Sequence, residues 1–518
     1  MAVRSLFGQG SPVQHALLGL AENAALPPEL IDRLILAADA YADADLAEAL
    51  AVRPDLSDAQ TATLMRFEAA AIRFAHEGRL TIDSVDPAAR PRVALALLEE
   101  RSGRPEWAYS LAADPRADIR ERLAACPALP HEVMRTLASD PDVRVAAELA
   151  SWAPTDIATQ LAAHPHADVR RSVAANEATP PSVLASLLTG DGLPPALSCA
   201  VCDQETVPFV HDPNCDRRDC SLPPGAACDS SHQSTVFEIQ QMALRNPATP
   251  VDAATAFAGH PSMLIRVELA ARVDLPAQVY SRLAQDPVPW VRATIAENPT
   301  IDENLMRALA VDRGHDVQRR LAHNPHVPLD VLSDVSTTTK IGSTLLPRIA
   351  SATPREVEEL ATSANPSMRM LLAQRRDLPP HVRDALAEDP DAKVVKSIAP
   401  HPGLSDVQLR TMVTRHGGRV LAKVAANPDA TAKLLEDLTQ HRPAVQKALR
   451  EVALHRNATA AALLACLANR QARPLAARHS ALPPEVIVGL LSDEDWQVME
   501  AAAANPSLPH SAMSELIP

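Results

Sequence analysis

Aromatic side chains are scarce in this 518-residue chain, at 3% of the total, and glycine occurs only 15 times. With so few glycines a Gly-rich phosphate cradle is not expected. The sequence also lacks a nucleophile elbow, a phosphate loop, a dinucleotide Gly pattern and a His-Glu-x-x-His pair. An enzyme is therefore not expected. No apolar run approaches the ~18 residues that a membrane span requires. The opening stretch from Met1 to Gly8 lacks the apolar segment of a secretory leader. A cytoplasmic protein with reduced thiols is the expectation. Basic residues number 49 against 64 acidic ones, a net charge of −15. That balance disfavours attraction of nucleic acid or an anionic membrane to the surface as a whole.

Alanine and leucine are abundant, and the 46 prolines fall at regular places. A motif of about 26 residues recurs: Leu-Pro-x-x-Val-x-x-x-Leu-x-x-Asp-Pro-x-x-x-Val-Arg-x-x-Leu-Ala-x-Asn-Pro. Its starts lie at Pro130, Pro154, Pro180, Pro250, Pro276, Asp302, Pro328, Pro354, Pro379, Ser405, Thr431, Thr459, Pro483 and Pro509. Chains of this kind are stacks of one small unit, each burying its apolar face against its neighbours.

Each unit divides into two helices. Proline opens the first, where its missing N–H costs nothing. Apolar residues follow four apart, as in Val382/Leu386 and Val486/Leu490. An Asp-Pro or His-Pro step (Asp114-Pro115, Asp286-Pro287, His260-Pro261) ends it, because the residue before proline avoids helical geometry. The second helix is expected to be shorter, with the pairs Ile119/Leu123, Val169/Val173, Val291/Ile295, Val317/Leu321 and Val420/Val424. It closes on Asn176, Asn298, Asn324, Asn427 or Asn505, since Asn tolerates a left-handed cap. Helices of roughly 8–12 residues are not stable alone, so the fold class is all-α: an α-solenoid of two-helix repeats, its handedness left open. Residues 1–92 read as degenerate capping repeats, 93–190 as repeats, 191–235 as an insertion, and 236–518 as repeats with a C-terminal cap.

These residues resemble the leucine-rich repeat variant family, over about 400 residues. The resemblance implies units that pair an α-helix with a shorter, often 3₁₀-like helix. Asp-Pro-x-x-x-Val-Arg, as from Asp286 to Arg292, is also similar to the second half of a HEAT repeat.

One interval, from Pro180 to Pro250, is 70 residues long and exceeds the period by 44. The extra residues fall between the two helices of one repeat, whose second helix carries Ile239, Ala243 and Asn246. Five of the seven cysteines lie there (Cys199, Cys202, Cys215, Cys220 and Cys228), together with His211 and His232. A polar loop of that length cannot bury enough apolar surface to fold alone, and a structural zinc supplies on the order of 10 kcal/mol. Cys199-x2-Cys202 sets two thiolates at adjacent corners of a tetrahedron. Cys220 and Cys228 complete the preferred Zn2+ set. Cys215, His211 and His232 are left as replacements or as members of a second site. The rival cofactor is a [4Fe-4S] cluster; the family resemblance implies one, since some of its members are associated with a cluster in a Cys-rich N-terminal segment. Disulfides fit worst, with an odd number of thiols in a reducing compartment.

Arg120, Arg170, Arg266 and Arg292 follow the second-helix Val or Ile. They either line a phosphate-binding groove or form a ladder with aspartates such as Asp114, Asp286 and Asp389. The ladder is preferred, because acid and base recur with one period and no aromatics interleave. The repeated Asn reads as a cap that satisfies backbone groups between turns. Cys126 and Cys466 read as core residues. His164, His260, His315, His323 and His326 read as surface residues, and Trp107, Trp152, Trp290 and Trp496 as packing between units. The expected function is a cytoplasmic scaffold that binds a protein or peptide on its concave face. The alternatives are a nucleic-acid-binding HEAT-like protein, similar to the DNA glycosylases that grip duplex backbone in a basic groove, and an Fe–S redox or iron sensor.

Overall fold

The computed structural model describes residues 12–200 and 233–518. The candidate ligands Cys202, His211, Cys215, Cys220, Cys228 and His232 lie outside them. The chain divides into two compact units. One contains residues 1–80, 343–345 and 352–518; the other contains 81–342 and 346–351.

Helices of three to 14 residues account for the regular structure among the described residues, and no strand occurs there. Proline stands immediately ahead of the first helix of a repeat. Pro276, Pro328 and Pro483 are extended and precede Ala277–Leu283, Leu329–Thr338 and Pro484–Leu490. Where the repeat replaces this proline, a capping residue takes its place. Asp302, Ser405, Thr431 and Thr459 each accept a hydrogen bond from the backbone N–H three residues on. Both solutions deal with the orphan N–H groups of a helix start, one by setting the backbone and the other by supplying an acceptor.

The apolar pairs form the core. Ile119, Leu123, Val169, Val173, Val291, Ile295, Val317, Leu321, Val420 and Val424 are fully buried. Val382 and Leu386 are buried likewise, whereas Val486 is half-buried and Ile487 fills the core in its stead. The second helix is not uniformly the shorter one: Leu421–Ala425 has five residues against 11 in Asp406–His416, but Pro289–Glu297 has nine against seven in Ala277–Leu283. Nor is it 3₁₀-like. It is α-helical throughout, because a buried stripe of four-apart residues needs the 3.6-residue turn. The 3₁₀ segments among the described residues are confined to Ile82–Ser84, Ala256–Gly259 and Gly417–Arg419.

In the unit built mainly from residues 81–342, the second helices form one row. Pro91–Glu99, Ala117–Ala124, Val143–Ala150, Ala167–Ala175, Gln233–Arg245, Met263–Ala271, Pro289–Glu297 and His315–Leu321 each pack on the next. Ala167–Ala175 packs directly on Gln233–Arg245, so the row runs on across the long interval, with Ile239 and Ala243 buried.

The other unit draws on both ends of the chain. Its second helices pack in the order Pro366–Leu372, Ala392–Ile398, Leu421–Ala425, Gln446–Leu454, Arg473–Arg478 and Trp496–Ala503. The row then continues with Pro12–Ala21, Ala44–Ala51 and Glu68–His76. The N-terminal helices thus extend the C-terminal repeats.

Candidate functional site

Two side-chain ladders follow the repeat. In the first, an arginine of one second helix bonds the aspartate 20 residues on with both arms of its guanidinium. Arg120 meets Asp140, Arg266 meets Asp286, Arg292 meets Asp312 and Arg369 meets Asp389, with Nε–O distances of 2.6–2.7 Å. The remaining arm donates to the carbonyl six residues earlier, as Arg120 does to Asp114 and Arg292 to Asp286. These pairs are largely buried. Asp140 raises the Arg120 pKa, and Arg292 lowers that of Asp312. The ladder expected from the shared period is present with Asp286 and Asp389 among its acids, while the Asp114 carboxylate pairs with Arg116 and Asp114 offers Arg120 its backbone carbonyl. Each of these arginines has all three nitrogens engaged and a side chain at most 16% exposed, which leaves little of it to present to a phosphate.

The second ladder is built on asparagine. The Asn324 amide nitrogen donates to the carbonyls of Ala296 (3.1 Å) and Asn298 (2.7 Å), and its oxygen accepts from the His326 N–H. Asn176, Asn246, Asn298, Asn427, Asn505 and Asn23 bond the neighbouring repeat in the same way. The backbone is not left-handed: Asn176 has φ −72° and Asn298 φ −66°. Asparagine is needed here because one short side chain offers two donors to bare helix-end carbonyls and an acceptor to its own turn. Other residues occupy the same place. Arg272 reaches Leu244 and Asn246, Arg53 reaches Ala21 and Asn23, His401 donates to Ala373 and His455 to Asn427. Reading along the Asn register, and not only for Asn itself, would have located them.

The arginine ladder stops at the long interval. Twenty residues after Arg170 stands Gly190, which has no carboxylate. Arg170 instead donates to the carbonyls of His164 (2.6 Å) and Pro194 (2.7 Å), and burial lowers its pKa. Beside it the chain pairs briefly in parallel. Leu197 donates to Pro165, Ala167 to Ser198, and the Ala200 N–H to the Asp168 carboxylate. Cys199 sits in this seam, fully buried. Of the seven candidate metal ligands it is the one within the described residues. Among those residues no three His, Cys, Asp or Glu side chains converge as a metal site.

Cys126 and Cys466 are core residues, and burial pushes both thiols up to about 12. The histidines divide. His315 and His326 are exposed, while His164, His260 and His323 are half-buried. His164 and His260 accept a backbone N–H two residues on, and His260 stacks on Phe257. Trp107 is buried, but Trp152, Trp290 and Trp496 are 72%, 44% and 47% exposed, against the expectation that all four pack between units. Trp290 borders a groove of about 1050 Å³ with His260, Met263, Arg282 and Pro287. Trp496 borders another of about 1120 Å³ with Arg450, Arg470 and Glu494.

No family model and no curated protein matches the sequence. Among solved structures it is similar to one described as a leucine-rich repeat variant with a novel repetitive protein structural motif. That likeness is at 17% identity and covers 52% of this chain and 87% of that chain, with a TM-score of 0.30. A superposition that loose carries no argument, and the helical repeat architecture rests on the packing described above. No described helix is long and apolar enough to cross a membrane.

Proposed function

We propose that this chain is a non-enzymatic cytoplasmic scaffold that binds a protein or peptide along its repeats, with Zn2+ stapling the thiol-rich insertion. The observation that carries the scaffold reading is the pair of grooves at Trp290 and Trp496. Half-exposed indoles beside arginine are the side chains that dominate protein recognition, since they bury large area with few rotors. The consumed arginine ladder weighs against a phosphate-reading surface.

Peptides selected from a random library by the folded chain test this reading. Selected peptides should lose affinity at least tenfold with Trp290→Ala or Trp496→Ala. Failure to select any peptide, or a salt-dependent shift of duplex DNA, would overturn it. The zinc reading is supported by the thiol cluster and by the seam that holds Cys199 against the repeat. Elemental analysis should give zinc that is lost with Cys199→Ser and Cys202→Ser. Stoichiometric iron in a brown protein would replace zinc by a cluster, and no metal at all would remove the staple.

A further inference from the structure

One repeat in the discontinuous unit is assembled from both ends of the sequence. Its first helix is His510–Leu516, and the helix packed where its second should be is Pro12–Ala21. The fit is that of a native repeat. Leu17, Leu20 and Ala21 are buried, and Pro12–Ala21 packs against Trp496–Ala503. The backbones come so close that a Cβ on Gly19 would lie 2.2 Å from the Glu500 carbonyl oxygen and 3.0 Å from the Ala503 Cβ. The asparagine ladder passes through without a break. Asn23 donates to Ala503 (2.9 Å) and Asn505 (2.7 Å), and Arg53 then donates to Ala21 and Asn23. Around the rim Arg478 pairs with Glu22 at 2.8 Å and His15 with Glu500 at 3.2 Å, its ring stacked on Trp496. Arg33 reaches Ser514 and the Ile517 carbonyl.

This junction is non-covalent. Residues 12–80 are joined to the rest of their unit only through the chain of the other unit. A repeat contacts only its neighbours, so the face formed by Trp496–Ala503 and His510–Leu516 meets the same surface whichever chain supplies it. We propose that this face is an interaction surface for residues 12–80 of a second copy, and that the chain dimerises by exchanging that segment. Every contact above is kept in the exchanged form. The two forms then differ by the effective concentration at which residues 81–342 hold the segment near its own face, and by strain in that connection.

Two full-length variants test this. Gly19→Trp spoils the N-terminal segment and leaves the receiving face intact, while Ala503→Trp spoils the face and leaves the segment intact. Mixed, they restore one wild-type junction between chains. A 1:1 heterodimer by native mass spectrometry is expected, with neither variant dimerising alone. The wild-type chain provides a second measurement that does not depend on Ala503→Trp folding. Isotopically heavy and light chains mixed near millimolar concentration should yield a mixed dimer that Gly19→Trp in both chains abolishes. Monomers alone in that experiment, or a mixed dimer indifferent to Gly19→Trp, would overturn the proposal.

Discussion

Asn23 and Asn505, 482 positions apart in sequence, are consecutive steps of one ladder: the Asn23 amide donates to the Asn505 carbonyl at 2.7 Å. The same step joins Asn324 to Asn298, 26 positions apart and also at 2.7 Å. Equal geometry at such unequal separation means that the repeat surface, not chain proximity, specifies the contact.

The first prediction concerns that step. Asn324 is fully buried, and Asn324→Ala strips a donor from two helix-end carbonyls and an acceptor from the His326 N–H. A buried polar group left bare costs about 1–3 kcal/mol. Hydrogen exchange should accelerate around residues 296–330 and stay unchanged in distant repeats, because repeat stability is transmitted only to neighbours. Uniform acceleration along the whole chain would contradict the ladder's local role.

Asp286→Ala should be more severe. Arg266 and Asp286 have side chains only 10% and 5% exposed, and their bidentate bond is buried. Removing one partner of such a pair costs roughly 3–5 kcal/mol, whereas replacing both by apolar groups is often neutral. Asp286→Ala should therefore open these repeats at lower urea than the wild type, and Arg266→Met added to it should recover most of the loss. The exposed pair Arg355–Glu359, with side chains 89% and 58% accessible, should show almost no effect when broken.

His401 makes the ladder step pH-dependent. It is buried, its Nε2 donates to the Ala373 carbonyl at 2.8 Å, and desolvation holds its pKa below that of an exposed histidine. The unfolded chain takes up a proton near pH 6.5 that the folded chain refuses until lower pH. The stability is therefore complete above about pH 6.5 and declines as pH falls below it. His401→Asn, which installs the residue used at Asn427, should keep the step and flatten this part of the pH dependence. Thermal unfolding from pH 7.5 to 5.5 would reveal it. An unchanged slope would place the titration elsewhere.

Much of this molecule is legible in one dimension. The four-apart pairs such as Val291/Ile295, the proline starts and the Asp-Pro stops recur because each helix is short and solves the same local problem. Local geometry and apolar spacing determine those elements without reference to distant residues. The thiol cluster between Pro180 and Pro250 is equally plain, since composition needs no coordinates. What tertiary structure alone decided is which surfaces meet. Arg120 takes Asp140 and not Asp114 as its carboxylate partner, Arg272 and His401 stand in for asparagine, and Pro12–Ala21 completes a repeat begun at His510. Every repeat carries nearly the same interface, so periodicity cannot tell one neighbour from another. The choice is made by close fit, as where Gly19 lets two backbones touch.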